Sequence, residues 1–193
     1  MSSQTSREER LPALAPERLT EAQKAAAAEF QELRKRPVFG PFVPLLRSPE
    51  LLRAANRMGL HLRYRSSLPL RLSEFVILLV ARQWSQPVEW QIHHPIALEA
   101  GLDSEIAAAV AEGRRPGHMQ EDEAAVWDYV TEIHRNKGVS DATYGRALAA
   151  FGEEGVVELA GLCGYYGLLA MVMNVARTAP APGAAPGLPM LPA

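Results

Sequence analysis

The sequence predicts an all-α fold of about eight helices, and three observations carry that expectation. Apolar residues recur at helical spacing from residue 20 to residue 177. Clear helix-start residues stand ahead of several of those runs. No hairpin signature and no internal repeat interrupts them.

The elements follow in chain order. Thr20 is placed to cap a helix over 21–36, with Glu21 favourable in its first turn. "RSPELLRAANRMGLHLRYRSS" opens with Ser48 as N-cap and Pro49 at the first helical position, where proline's missing N–H is not needed. "RLSEFVILLVARQW" is apolar nearly all round, the mark of a buried helix; its β-branched content also suits a strand, but its length favours a helix. "EWQIHHPIALEAGL" continues a helix that begins near Pro87 and is stopped by Gly101. "LDSEIAAAVAEG" reads as a short helix capped by Asp103 or Ser104 and ended by Gly113. "GRRPGHMQ" is a loop, and helices over about 121–136, 140–151 and 154–177 complete the domain.

The organisation is a flexible N-terminal segment over 1–16, one helical domain over 17–178, and a Pro/Ala/Gly-rich tail over 179–193. The tail's Leu188, Met190 and Leu191 are candidates for docking on a partner subunit. A net charge of −2 supplies no basic excess for broad nucleic-acid binding. The basic positions between Arg53 and Arg71 alternate with leucines and read as the solvated face of a helix. No apolar stretch is long and clean enough to predict a membrane span, and residues 1–20 lack a signal-peptide core. A single cysteine, Cys163, excludes an internal disulfide and any C-x-x-C motif, and suits a reducing, cytoplasmic setting.

The chemistry concentrates in 89–102. Glu89 and His93 are four residues apart and share one helix face; Trp90 and His94 form a second such pair about 100° round. Pro95, inside the helix, frees the carbonyl of Gln91 and should bend the backbone there. Three readings are open for Glu89 and His93: a surface ion pair, two ligands of a metal, or an acid–base pair. His61, His118 and His134 offer no recognisable ligand spacing to complete a metal site. Glu74, within apolar "FVILLV"-type surroundings, is costly to bury unless paired or protonated. Arg114 and Arg115 are a possible carboxylate clamp, outweighed by a solvated-loop reading. Cys163, in an apolar Gly-rich helix, reads as a buried small hydrophobe.

The pattern "L-x-E-x-x-I-L-x-V-A-R", then "E-W-x-x-H-x-P-x-A-x-x-A-G-L", then "GLCGYYGLLAMVMN", resembles the carboxymuconolactone decarboxylase family within the alkylhydroperoxidase D-like superfamily. The resemblance spans roughly 17–178 and includes "GPFVPLLRSPEL". It implies a single-domain alkylhydroperoxidase D-like helical fold. It also implies that His93 is the motif histidine and Glu74, nineteen residues earlier, its relay glutamate. The peroxidase branch's two cysteines would fall at Gln86 and Glu89, so that branch's thiol chemistry is not expected here.

Taken together, these readings expect acid–base catalysis by Glu74, Glu89 and His93, with Trp90, His94 and Tyr166 binding substrate. His93 would donate the proton, with Glu89 orienting it or acting as a second acid–base group. The expected activity is a decarboxylase or isomerase acting on an unsaturated lactone or keto acid, as in aromatic catabolism. It needs no cofactor and no metal, and its partner is the small-molecule substrate rather than nucleic acid or membrane. The resemblance implies a homo-trimer or homo-hexamer with the 154–177 helix at an interface. The alternatives are a non-catalytic oligomeric binding protein and, less favoured, a peroxidase working without C-x-x-C. Tyr166 has a second reading, in which Gly164 and Gly167 beside it mark close helix packing.

Overall fold

An apolar run with no polar face has to be enclosed on every side, and the fold is arranged to do so. In the computed structural model, which describes residues 8–181, 188 and 189, a 3₁₀ turn at Pro16–Arg18 precedes eight α-helices. They are α1 (Glu21–Arg34), α2 (Phe42–Leu45), α3 (Pro49–Tyr64), α4 (Leu70–Gln83), α5 (Pro87–Glu99), α6 (Ser104–Ala111), α7 (Glu121–Asn136) and α8 (Asp141–Ala176). No strand occurs among the described residues. Every residue of α4 from Leu72 to Arg82 is buried. Around it pack α3, α5, α6, α7 and α8, while α1 and α2 close over α3.

The helix ends follow from local chemistry. Thr20 and Gln23 form a reciprocal capping box at α1. Asp103 caps α6 by accepting from the Glu105 N–H, and Ser140 caps α8 through the Thr143 N–H. Ser48 stands at the N-cap of α3 as expected, but its side chain makes no capping bond, so Pro49 alone supplies the start signal. Gln86 caps α5 through the Val88 N–H, at one of the positions where the resemblance would put cysteine. Pro95 lies inside α5, which runs helical through it from Pro87 to Glu99.

The two predicted C-terminal helices meet end to end. Gly152 breaks them with φ 66° and ψ −178°, a conformation open to glycine and strained for other residues. The second half of α8 also corrects the membrane expectation. It contains a stretch long and apolar enough to cross a membrane by length and composition, yet 61% of that stretch is buried inside the fold.

Three other expectations change. Residues 8–16 are not loose: the Arg10 N–H donates to Ala176 O at 2.8 Å, and Arg47 Nη2 donates to Pro12 O at 2.6 Å. The basic stretch is not a solvated face throughout. Arg53 pairs with Glu29 and Glu50, Arg63 with Glu74, and Arg71 with Asp122 and Glu123. The tail lies partly on its own chain, where Leu188 packs on the core and Pro189 O accepts from Arg82 Nη1 at 2.6 Å. Met190 and Leu191, like residues 1–7, 182–187 and 192–193, lie outside the described residues.

Gly152→Ala should destabilise the chain by about 1–3 kcal/mol, because alanine is strained at that φ/ψ. Urea denaturation of the two chains measures the difference; equal midpoints would mean that the break relaxes without strain.

Candidate active site

Glu74 sits at the centre of α4 with no exposed surface. A bare carboxylate there would be costly, so its oxygens are both engaged. His93 Nδ1, on α5, lies 2.6 Å from Glu74 Oε2, and Arg63 Nη2, on α3, donates to Oε1 at 3.2 Å. Three helices are thus tied at one point. Tyr166 of α8 stands edge-on to the His93 ring at 5.2 Å, and Tyr165 stands edge-on to Tyr166 at 5.1 Å. Gly59 on α3 makes room for this, since a Cβ there would come within 2.1 Å of the Tyr165 hydroxyl.

Arg63, His93, Tyr165 and Tyr166 line a small cavity with Arg34, Phe39, Phe42 and Glu89. Its volume is about 30 Å³, room for one or two waters. Arg34 is held at the wall by donating to Asn56 Oδ1 at 2.6 Å and by stacking over Phe42 at 4.8 Å. Among the described residues no carboxylate pairs with it.

The second carboxyl differs sharply from the first. Glu89 is buried, and neither of its oxygens has a hydrogen-bond partner among the described residues. Five buried side-chain polar atoms lack partners in this way, and four of them belong to Glu89, Arg63 and Tyr165 around this cavity. Buried polar groups are nearly always satisfied, so this concentration sets the cavity apart from the rest of the described interior.

Burial sets the protonation states. Desolvation raises the Glu89 pKa well above its ordinary value, which favours the protonated carboxyl. Desolvation lowers the His93 pKa, outweighing the hydrogen bond and charge of Glu74, so the ring is neutral near pH 7. Glu74 faces Arg63 and accepts from His93, which puts the ring proton on Nδ1 and leaves Nε2 with its lone pair. Burial pushes the Tyr165 phenol up to about 12 and the Tyr166 phenol well above its ordinary value, so both stay hydrogen-bond donors.

The predicted residues divide accordingly. Glu89, His93 and Tyr166 line the cavity, and Glu74 reaches it through His93. Glu89 and His93 are both buried, which removes the surface-pair reading, and the hydrogen bond to His93 comes from Glu74 rather than from Glu89. Trp90 and His94 do not line the cavity; they stack on each other at 5.4 Å, with Trp90 buried in the core. Gly167 fits the packing reading, its Cβ position 3.4 Å from Trp84 Nε1, whereas Gly164 faces open space. Arg114 and Arg115 are exposed and pair with Glu112 and Asp128. Arg34, Arg63 and Tyr165 went unnoticed in the sequence. The doubled tyrosine in "GYYG" was the available signal for the last of these.

Among the described residues no three His, Cys, Asp or Glu side chains are grouped to hold a metal. His61 instead meets Glu158 at 2.9 Å, and His134 Nδ1 meets Val130 O at 2.8 Å. Cys163 is buried, and desolvation raises its thiol to about 12, so no thiolate forms near neutral pH.

No protein-family model matches the chain, and no curated protein is similar to it by sequence. Solved structures do share its fold. A peroxidase-related protein of Silicibacter sp. TM1040, itself uncharacterised, superposes with a TM-score of 0.73 at 14% identity, over 94% of this chain and 96% of that one. The debrominase Bmp8, solved as a cysteine-to-alanine variant with 2,3,4-tribromopyrrole, gives 0.69 at 12% identity, over 92% and 94%. The chain therefore shares the fold of these two proteins. The resemblance to the decarboxylase family rests on the motif residues alone.

Glu89 makes stability depend on pH in a particular direction. The folded chain keeps a proton that the unfolded chain releases above about 4.5, so this group's contribution is full below that pH and is lost as pH rises through the folded value. Glu89→Gln is neutral at every pH. Its stability relative to the parent should grow as pH is raised from 4.5 to 8, read by urea denaturation at each pH. A pH-independent difference would remove the raised pKa.

Proposed function

We propose that the chain is a cofactor-independent acid–base enzyme of carboxymuconolactone decarboxylase type, acting on an unsaturated lactone or keto acid that carries a carboxylate. The observation that carries this is Glu89, a buried carboxyl with no hydrogen-bond partner among the described residues, facing the same cavity as the buried His93. Two titratable groups whose surroundings push their pKa values in opposite directions make an acid and a base. Glu89 is the acid. His93, its Nδ1–H fixed on Glu74, presents Nε2 as the base, the reverse of the donor role expected for it from the sequence.

The chemistry balances without a redox partner. In decarboxylation the C–C bond to the carboxylate breaks and CO₂ leaves with no electrons from that bond. The pair stays behind as an enolate conjugated with the substrate carbonyl. Glu89 delivers its proton to carbon and regains one from water. In isomerisation His93 Nε2 removes a proton from one carbon and Glu89 returns one to another. The phenols of Tyr165 and Tyr166 are donors for the developing oxyanion. Arg34, lacking an acid of its own, is suited to the substrate carboxylate. Glu74 and Arg63 are positioning residues. The cavity is too small for a lactone ring, so binding requires the Phe39 and Phe42 wall to move outward.

The names of the two structural neighbours raise thiol chemistry as a competing reading, and the Cys163 environment weighs against it. Assembly belongs to the same proposal: α8 leaves Val157 70% and Val175 62% exposed, apolar surface suited to copies of this chain in a trimer or hexamer. Light scattering that shows a clean monomer at micromolar concentration overturns that part.

The test is a turnover and thermal-shift screen of unsaturated lactones and keto acids, followed by pH–rate series. The rate should be bell-shaped, its acid limb below the ordinary histidine value of 6.5 and its alkaline limb well above 4.5. His93→Ala should lower kcat by about 10²–10⁴-fold, the usual worth of a positioned base. Glu89→Gln should abolish the alkaline limb as it lowers the rate. His94→Ala, off the cavity, should matter little. Saturable binding without turnover makes the chain a binding protein. Peroxide turnover that Cys163→Ser removes replaces the whole mechanism.

A further inference from the structure

The fifth unpartnered buried atom is Arg82 Nε, and it belongs to a different place. A cavity of about 510 Å³ opens between the C-terminal end of α4, the end of α6 and the last turns of α7. Arg82 is only 7% exposed and lines it with Arg135 and His134, and no Asp or Glu lines it. Arg63 and Arg71, also drawn into the fold, each meet a carboxylate, whereas Arg34 beside the first cavity does not. Arg82 meets only neutral oxygens: Ala111 O at 3.1 Å, Ser85 Oγ at 2.7 Å and Pro189 O at 2.6 Å. No carboxylate among the described residues forms an ion pair with Arg82 or with Arg135. A buried cation without a counter-charge is expensive for a fold to keep.

The rest of the lining suggests what would compensate it. Trp127, Leu79 and Val130 form an apolar wall, and Thr131 and Gln83 add neutral hydrogen-bonding groups. Pro189 reaches Arg82 from the tail, far away in sequence, and its carbonyl oxygen stands where an anionic oxygen would bind better.

We propose that this cavity is a second ligand site, for a small organic anion whose carboxylate or phosphate group displaces Pro189 O from Arg82 and also meets Arg135. Its apolar body rests on Trp127 and Leu79. The site is independent of the Glu89 cavity and of the activity proposed there.

Isothermal titration of the full chain with phenyl phosphate tests this, with inorganic phosphate and benzyl alcohol as probes of the anionic and apolar halves. Saturable one-to-one binding of phenyl phosphate is expected, tighter than either half and weakened by salt. Arg82→Gln and Arg135→Gln should each raise its Kd at least tenfold. Leu188→Ala, which loosens the tail, should lower it. Arg34→Gln should leave it unchanged. Because Arg82 is buried and its variant could fail to fold, the exposed Arg135 variant decides alone if need be. No saturable binding at millimolar phenyl phosphate overturns the proposal. So does binding unchanged by Arg135→Gln, or binding lost in Arg34→Gln, which would move the anion to the other cavity.

Discussion

The hydrogen bond between His93 Nδ1 and Glu74 fixes more of this molecule than any other contact. Glu74 has no exposed surface, so the carboxylate is tolerable only while its partners stay in place. Those partners come from helices on either side of α4 in the sequence: Arg63 from α3 and His93 from α5. A helix that slipped one residue would turn its side chain about 100° and leave the charge uncompensated. Glu74, with its hydrogen bond to His93 and its ion pair to Arg63, therefore sets the register of three helices. Apolar packing by itself is weakly specific about register, because α4 is buried on every face.

Two carboxyls on neighbouring helices then meet different surroundings. Glu74 is surrounded by donors and serves as acceptor. Glu89 makes no hydrogen bond among the described residues, and burial raises its pKa well above the ordinary value. The contrast is one of surroundings, since the side chains are identical, and it is what separates an orienting group from an acid. It also explains why His93 ends with a free Nε2: the carboxylate that takes Nδ1–H is the one already balanced by Arg63.

Much of this was legible in the sequence, though unevenly. Helix positions were, because capping residues and periodicity act locally; Thr20, Asp103 and Gly113 stand where the chain turns. The burial of Glu74 was readable from its apolar neighbours. Its partner was not readable from spacing, which pointed His93 at Glu89; only the resemblance named Glu74 as the relay to His93, and the fold does turn His93 toward it. Arg63 looked like one of several basic positions on a solvated face, and nothing local distinguishes it from Arg57. Arg34 and Tyr165 lie on α1 and α8, far apart in sequence, and meet only after both pack against α3. Long-range pairing is where a reading by spacing stops.

The position of Glu89 bears on how such a fold changes chemistry. In the resemblance, a reactive cysteine stands there, and a thiolate needs an environment that stabilises negative charge. The surroundings of residue 89 do the reverse, holding an acid neutral by desolvation. A thiol placed there would meet the same penalty and stay protonated, as Cys163 does where it is buried. A glutamate rather than a cysteine at this point thus agrees with the cavity around it. Surroundings that disfavour an anion at this position are suited to a proton donor, and on the proposed function the charge such a donor serves would arrive with the substrate, beside Arg34 and the two phenols.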